Sequence, residues 1–173
     1  PYGLDQGEVE RLLAALTMAV VIEPALLRAI RLALGLSTVV ELAVWNHPDA
    51  EPCLIGMQVR RDRLVAYRRL LSVWPLETRQ QVASLVETYH AAHSRLIRLE
   101  EAALAADLAK WKLDAVRTEW AAVLDTLQQA PEGDAARELR GYLHRTGLRA
   151  HPELWRSVPA LEHAYVVARR NAL

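Results

Sequence analysis

Apolar residues return every three or four positions along most of the chain, the spacing of one face of an α-helix. The first such segment starts at Asp5, a suitable N-cap with Glu8 at the capping-box position, and runs through Val9, Leu12, Leu13, Leu16 and Val20. Pro24 suits the first turn of a second helix, Ala25 to Leu34, with Leu27, Ile30 and Leu34 on one face and Gly35 as its stop. Ser37 caps a short third helix, Thr38 to Trp45. Residues 46–59 contain Pro48, Pro52 and Gly56 and lose the helical spacing, so a long irregular loop is expected there. Loops of that length carry function more often than short ones.

A fourth helix, Arg61 to Val73, would direct Leu64, Tyr67, Leu70 and Leu71 inward and Arg61, Arg68 and Arg69 outward, with Pro75 ending it or opening the next. Between Pro75 and Pro131 lie 55 residues without a glycine or proline. An unbroken helix of that length would reach about 80 Å, too far for one compact domain of this size. A break is therefore expected at Ala92 to Ser94, where the stripe Val82, Leu85, Val86, Tyr89 gives way to the polar pair His93-Ser94. Beyond it, Arg95 to Ala130 carries Leu104, Leu108, Trp111, Val116, Trp120, Val123, Leu124 and Leu127 and reads as a long central helix. Gly133 and Asp134 make a turn and cap a helix to Arg145 that Gly147 ends. Pro152 starts a last helix toward Arg170, kinked at Pro159. The expected fold is all-α, an irregular bundle of about seven helices forming one domain over residues 1–173. The ends at Pro1 and Leu173 carry no obvious caps, which suggests a fragment of a longer multidomain protein.

Composition supports the helical reading. Of 173 residues 52% are apolar, enough for a sizeable core, while Gly (7) and Pro (8) are few and Phe is absent, unlike turn-rich β folds. The apolar run Met18 to Ile22 is far shorter than the roughly 20 residues of a bilayer span. No secretory signal is visible. A single cysteine, Cys53, allows no internal disulfide and suits a reducing cytoplasm. Zero net charge argues against a general affinity for nucleic acid or anionic membranes. The charges nevertheless alternate in blocks: −4 over residues 1–59, +5 over 60–98, −5 over 99–134 and +4 over 135–173. Opposite blocks favour some helix pairings over others, at only about 0–1 kcal/mol per surface pair.

Three constellations bear on chemistry. Glu87, His90 and His93 stand at helical spacing, and Glu-x-x-His is half of the motif used by dimetal carboxylate bundles. The second half is missing: three residues after Glu138 comes Gly141, and three after Glu153 comes Arg156. A mononuclear site could recruit His144, His151 or His163 by folding, while surface or core-edge histidines are the ordinary reading. His47, Asp49, Glu51 and Cys53 cluster in the irregular segment and invite a Cys-His nucleophile, yet no second element supplies an oxyanion hole, and Cys53 reads as a small apolar residue. Arg60, Arg61, Arg63, Arg68 and Arg69 form the densest basic cluster, but no aromatic platform or recognition-helix signature accompanies it. No Gly-rich phosphate loop, Gly-x-Ser-x-Gly or His-Glu-x-x-His occurs. The five tryptophans mostly fall on apolar stripes and are expected in the core, although an exposed Trp45 or Trp155 would make a good partner anchor.

The run Glu41-Leu-Ala-Val-Trp45-Asn-His-Pro48, then Gly56, an Arg-rich helix, Tyr89-His90 and Arg98-Leu-Glu-Glu101 resembles helical regions adjacent to formylglycine-generating-enzyme-like modules in bacterial conflict proteins, which act in antiviral defence and signalling. The likeness covers roughly residues 9–105. It implies a helical adaptor or regulatory region in multidomain proteins that also carry caspase-like proteases or signalling ATPases, and it transfers no catalytic residues. The aromatic- and glycine-rich pattern of the formylglycine-enzyme-like module itself does not occur in this sequence. The expected function is thus a non-enzymatic interaction domain without cofactor or membrane partner. Trp45, His47, Pro48, Asp49, Arg61 and Arg68 are its candidate contacts with another protein or a flanking domain. The alternatives are a metal-binding bundle through Glu87, His90 and His93, or nucleic-acid binding through Arg60–Arg69.

Overall fold

The computed structural model describes residues 5–130 together with Gly133, Asp134, Arg137, Glu138 and Gly141. Of the helix expected to Arg145, the described residues Asp134, Arg137, Glu138 and Gly141 are helical; its remainder and the helix expected from Pro152 to Arg170, with His144, His151, Trp155 and His163, lie outside the described residues. Packing divides the chain into two compact units, Pro1–His93 and Ser94–Leu173. Among the described residues no helix is long and apolar enough to cross a membrane.

In the first unit, α1 (Gln6–Leu16) is the central element and packs against α2 (Pro24–Ala33), α3 (Thr38–Trp45) and α4 (Leu64–Ser72). Its sequence explains the position. Leu12 through Leu16 form an unbroken apolar run, so the last turns are buried all round, whereas α2 buries one stripe, Leu26, Leu27, Ile30 and Arg31. Asp5 caps α1 by accepting from Gly7 N–H at 2.9 Å, and the helix stops at Leu16, short of the expected Val20. Gly35, at φ 68°, ends the α2 corner in the left-handed region that favours glycine. That corner is pinned by Arg31, a buried guanidinium whose Nε donates to Glu41 Oε2 at 2.8 Å and whose NH1 donates to the Leu36 carbonyl at 2.7 Å.

Residues 46–59 are not an irregular loop. They hold an antiparallel hairpin, β1 (Ala50–Cys53) and β2 (Gly56–Val59), paired from Ala50 with Val59 to Cys53 with Gly56. The alternation that marks a strand is present only in β2, where Met57 and Val59 are buried on one face. Pro52 lies opposite Met57, whose backbone N–H and C=O turn the other way to Ile22, at 3.0 and 2.8 Å. Proline's missing N–H therefore removes no ladder bond at that position. A short 3-10 turn, Arg61–Arg63, leads into α4, and α5 (Leu76–Tyr89) packs against α2. On α4 the expected outward Arg68 is buried, and the expected inward Leu70 is exposed. An NH2 group of Arg68 donates to the Thr17 carbonyl at 3.4 Å, at the C-terminal end of α1 where a cation is favoured.

The second unit begins where the break was expected, with Ser94 capping α6 (Arg95–Ala109). It does not continue as one long helix. Lys110 and Lys112 both take left-handed backbone conformations, at φ 54° and 49°, and the chain folds back as α7 (Leu113–Gln129). Helices α6 and α7 pack together, and the buried Trp120 of α7 joins them, its indole Nε1 donating to the Leu99 carbonyl at 3.3 Å. Of the described tryptophans only Trp120 is buried.

Candidate functional site

The hairpin is held to the helices at two points. At its base, Asp49 Oδ2 accepts from the Tyr67 hydroxyl at 2.7 Å and from Arg63 Nε at 3.0 Å, and the Asp49 carbonyl accepts from Arg60 N–H at 2.8 Å. The Asp49 N–H in turn donates to His47 Nδ1 at 3.1 Å. At its far end, Gly56 comes so close to the chain before α2 that a Cβ there would stand 2.4 Å from the Ile22 carbonyl oxygen. Glycine is required by that close approach.

Charges at the base follow from these contacts. Burial pushes the Asp49 carboxyl upward, but hydrogen bonds from Tyr67 and Arg63 outweigh it and hold the group below its usual 3.8. Burial and the adjoining carboxylate push the Tyr67 phenol up to about 12. The Arg63 guanidinium, hydrogen-bonded to Asp49, is raised further above its ordinary range, and Arg60 is raised likewise by Asp62. An acid this firmly ionised and this fully hydrogen-bonded acts as a clamp and is poorly suited to proton transfer at neutral pH.

Solvent-facing apolar side chains lie on both sides of the clamp in sequence. Helix α3 turns Val40 and Val44 into the core and directs Glu41 to Arg31, which leaves Val39, Leu42 and Trp45 at steps of three on the other side, 52%, 65% and 42% exposed. The hairpin turn presents Leu54, completely exposed, and Ile55. Of the expected contact residues, Trp45 and Pro48 lie at the surface and His47 is half-buried, as is Asp49 in its clamp. Arg61 is exposed and Arg68 is buried beneath α4. The basic cluster is thereby dispersed: Arg60 pairs with Asp62 at 2.8 Å, Arg63 pairs with Asp49, and Arg68 points inward. Leu42 and Leu54 were missed by sequence reasoning because a leucine at helical spacing or in a loop carries no mark of which side the solvent is on.

A second group of polar side chains forms at the start of α2. Glu23 occupies the N-cap position of α2 but makes no side-chain cap. Its Oε1 lies 3.3 Å from His93 Nε2, in the turn after α5. His90, the C-cap of α5, is completely buried and meets the His93 ring edge-on, with centroids 4.3 Å apart. Glu87 stands exposed on α5 and is not among them. The histidines of the expected Glu-x-x-His pattern are thus brought to a carboxylate, but to Glu23 from a helix start 67 residues earlier.

Comparison of the chain with protein-family models, with curated proteins and with solved structures returns no significant match.

Proposed function

We propose that the chain is a non-enzymatic helical interaction domain that captures another protein, or a flanking domain, on the exposed face of α3 with the hairpin turn beside it in sequence. The observation that carries this reading is the stripe Val39, Leu42 and Trp45: three large apolar side chains left to water by an eight-residue helix whose opposite face is already packed. A folded chain gains nothing from such exposure, whereas covering a tryptophan and two aliphatic side chains supplies the apolar centre of a protein interface. The Asp49 clamp and the Ile22–Met57 bridge support the same reading, because they hold Leu54 and Ile55 on a rigid mount and limit the entropy lost on docking. The proposal includes the setting implied by the resemblance, an adaptor or substrate in a bacterial defence or proteolytic signalling complex in the cytoplasm.

The test replaces Leu42 by Asp and Trp45 by Ala together and compares affinity capture from the source organism with that of the unaltered chain. Both side chains are surface groups, so thermal stability should change little, by about 0.5 kcal/mol or less. The expected result is loss of a partner that the Leu70→Asp variant, altered at an exposed leucine on α4, still captures. An identical set of captured proteins in the double variant refutes the assignment.

A further inference from the structure

Glu23, His90 and His93 offer one donor atom each, and no two of the three lie more than 4.8 Å apart. We propose that these side chains bind a single first-row transition-metal dication, with zinc as the best chemical fit and water as its fourth ligand. The inference is independent of the α3 surface and does not rest on it.

The distances carry the argument first. A tetrahedral zinc ion with bonds of about 2.0–2.2 Å holds neighbouring donors about 3.3–3.5 Å apart. Glu23 Oε1 and His93 Nε2 are already separated by 3.3 Å, so one edge of the tetrahedron exists. The remaining edges need a contraction of at most about 1.5 Å to reach that spacing.

Donor chemistry narrows the ion. Two imidazoles and one carboxylate suit zinc and its first-row neighbours, whereas calcium and magnesium take nearly all-oxygen sets. The supporting backbone is also suited to the task. Glu23 is directed away from capping its own helix, and His90 and His93 flank a tight turn in which His93 N–H donates to the His90 carbonyl at 2.9 Å. The ion would tie the start of α2 to the end of α5, two helices that already pack together, and would close a long loop of chain.

The experiment uses the full chain without a histidine tag, stripped of metal by chelation and titrated with zinc by calorimetry and with cobalt by visible spectroscopy. Expected are about one equivalent bound, a tetrahedral cobalt spectrum and a rise in Tm with zinc. Glu23→Gln and His93→Ala should each weaken binding at least about tenfold while leaving the far-ultraviolet circular dichroism unchanged. His90→Ala is unsuitable because the ring is completely buried and its loss threatens the fold. Glu87→Gln, which alters the carboxylate of the Glu-x-x-His pattern, should bind like the unaltered chain. Binding below about a tenth of an equivalent, or binding untouched by both Glu23→Gln and His93→Ala, overturns the proposal, as does equal loss in Glu87→Gln.

Discussion

Replacing Gly56 with alanine tests the mount of the hairpin with a single methyl group. The new Cβ would meet the Ile22 carbonyl oxygen at 2.4 Å and its carbon at 3.0 Å, both backbone atoms that no rotamer change can move. Real Cβ contacts do not fall below 3.0 Å, so the two segments must separate by roughly 0.6 Å or more. Ile22 and Met57 exchange two hydrogen bonds there, at 2.8 and 3.0 Å, and that displacement carries both to the limit of useful geometry. At about 1 kcal/mol for each bond, plus partial loss of packing around the fully buried Ile22, the substitution should destabilise the fold by about 2–3 kcal/mol. Urea denaturation followed by circular dichroism measures the change, and hydrogen exchange at the Ile22 and Met57 amides locates it. If Gly56→Ala stays within about 0.5 kcal/mol of the unaltered chain and both amides keep their protection, the close approach is not a constraint and the rigid-mount argument fails.

Three further predictions concern the clamp and the α6–α7 turn. Tyr67→Phe should cost about 1.5–2 kcal/mol, since it removes a hydrogen bond to an ionised carboxylate that is only 14% exposed, and a double-mutant cycle with Asp49→Asn should recover most of that as coupling. The same contact sets two pH limits. The Tyr67 phenol is raised, so its contribution is complete below pH 10.0 and is lost as pH climbs toward about 12; Asp49 is lowered, so its contribution holds above 3.8 and fades in more acid solution. Denaturation midpoints of the unaltered chain and Tyr67→Phe across the alkaline range check this, and parallel curves would count against it. Lys110→Gly should stabilise α6 and α7 by about 0.5–1 kcal/mol by relieving a lysine held at φ 54°, and a loss of stability in thermal unfolding would refute the assignment of strain.

Several features were hidden for identifiable reasons. The hairpin escaped because its turn residues are Leu54 and Ile55, with neither the glycine nor the asparagine of the common two-residue turns; among described non-glycine residues only Lys110 and Lys112 take positive φ. The turn between α6 and α7 escaped for a related cause: two lysines do there what glycine usually does, and tertiary packing of Trp120 on α6 overrides local preference. Arg68 reads as a surface residue from its charge, but the carbonyl end of α1 and the neighbouring core draw the side chain inward. Buried Glu100 and Glu101 on α6 likewise carry no local sign of their burial.

Local rules were enough for the helices themselves. The starts at Asp5, Pro24, Ser37 and Ser94, the stop at Gly35 and the break near His93 all lie where local sequence puts them, because each depends on residues within one or two turns, although Ser37 holds the N-cap position of α3 without a side-chain hydrogen bond. Tertiary structure alone decided which faces remain in water and which distant groups meet. Val39, Leu42 and Trp45 differ from Val40 and Val44 only in the side of α3 on which α1 and α2 happen to lie. Asp49 gained Tyr67, and His93 gained Glu23, through chain closures of many residues whose outcome depends on how the whole core packs.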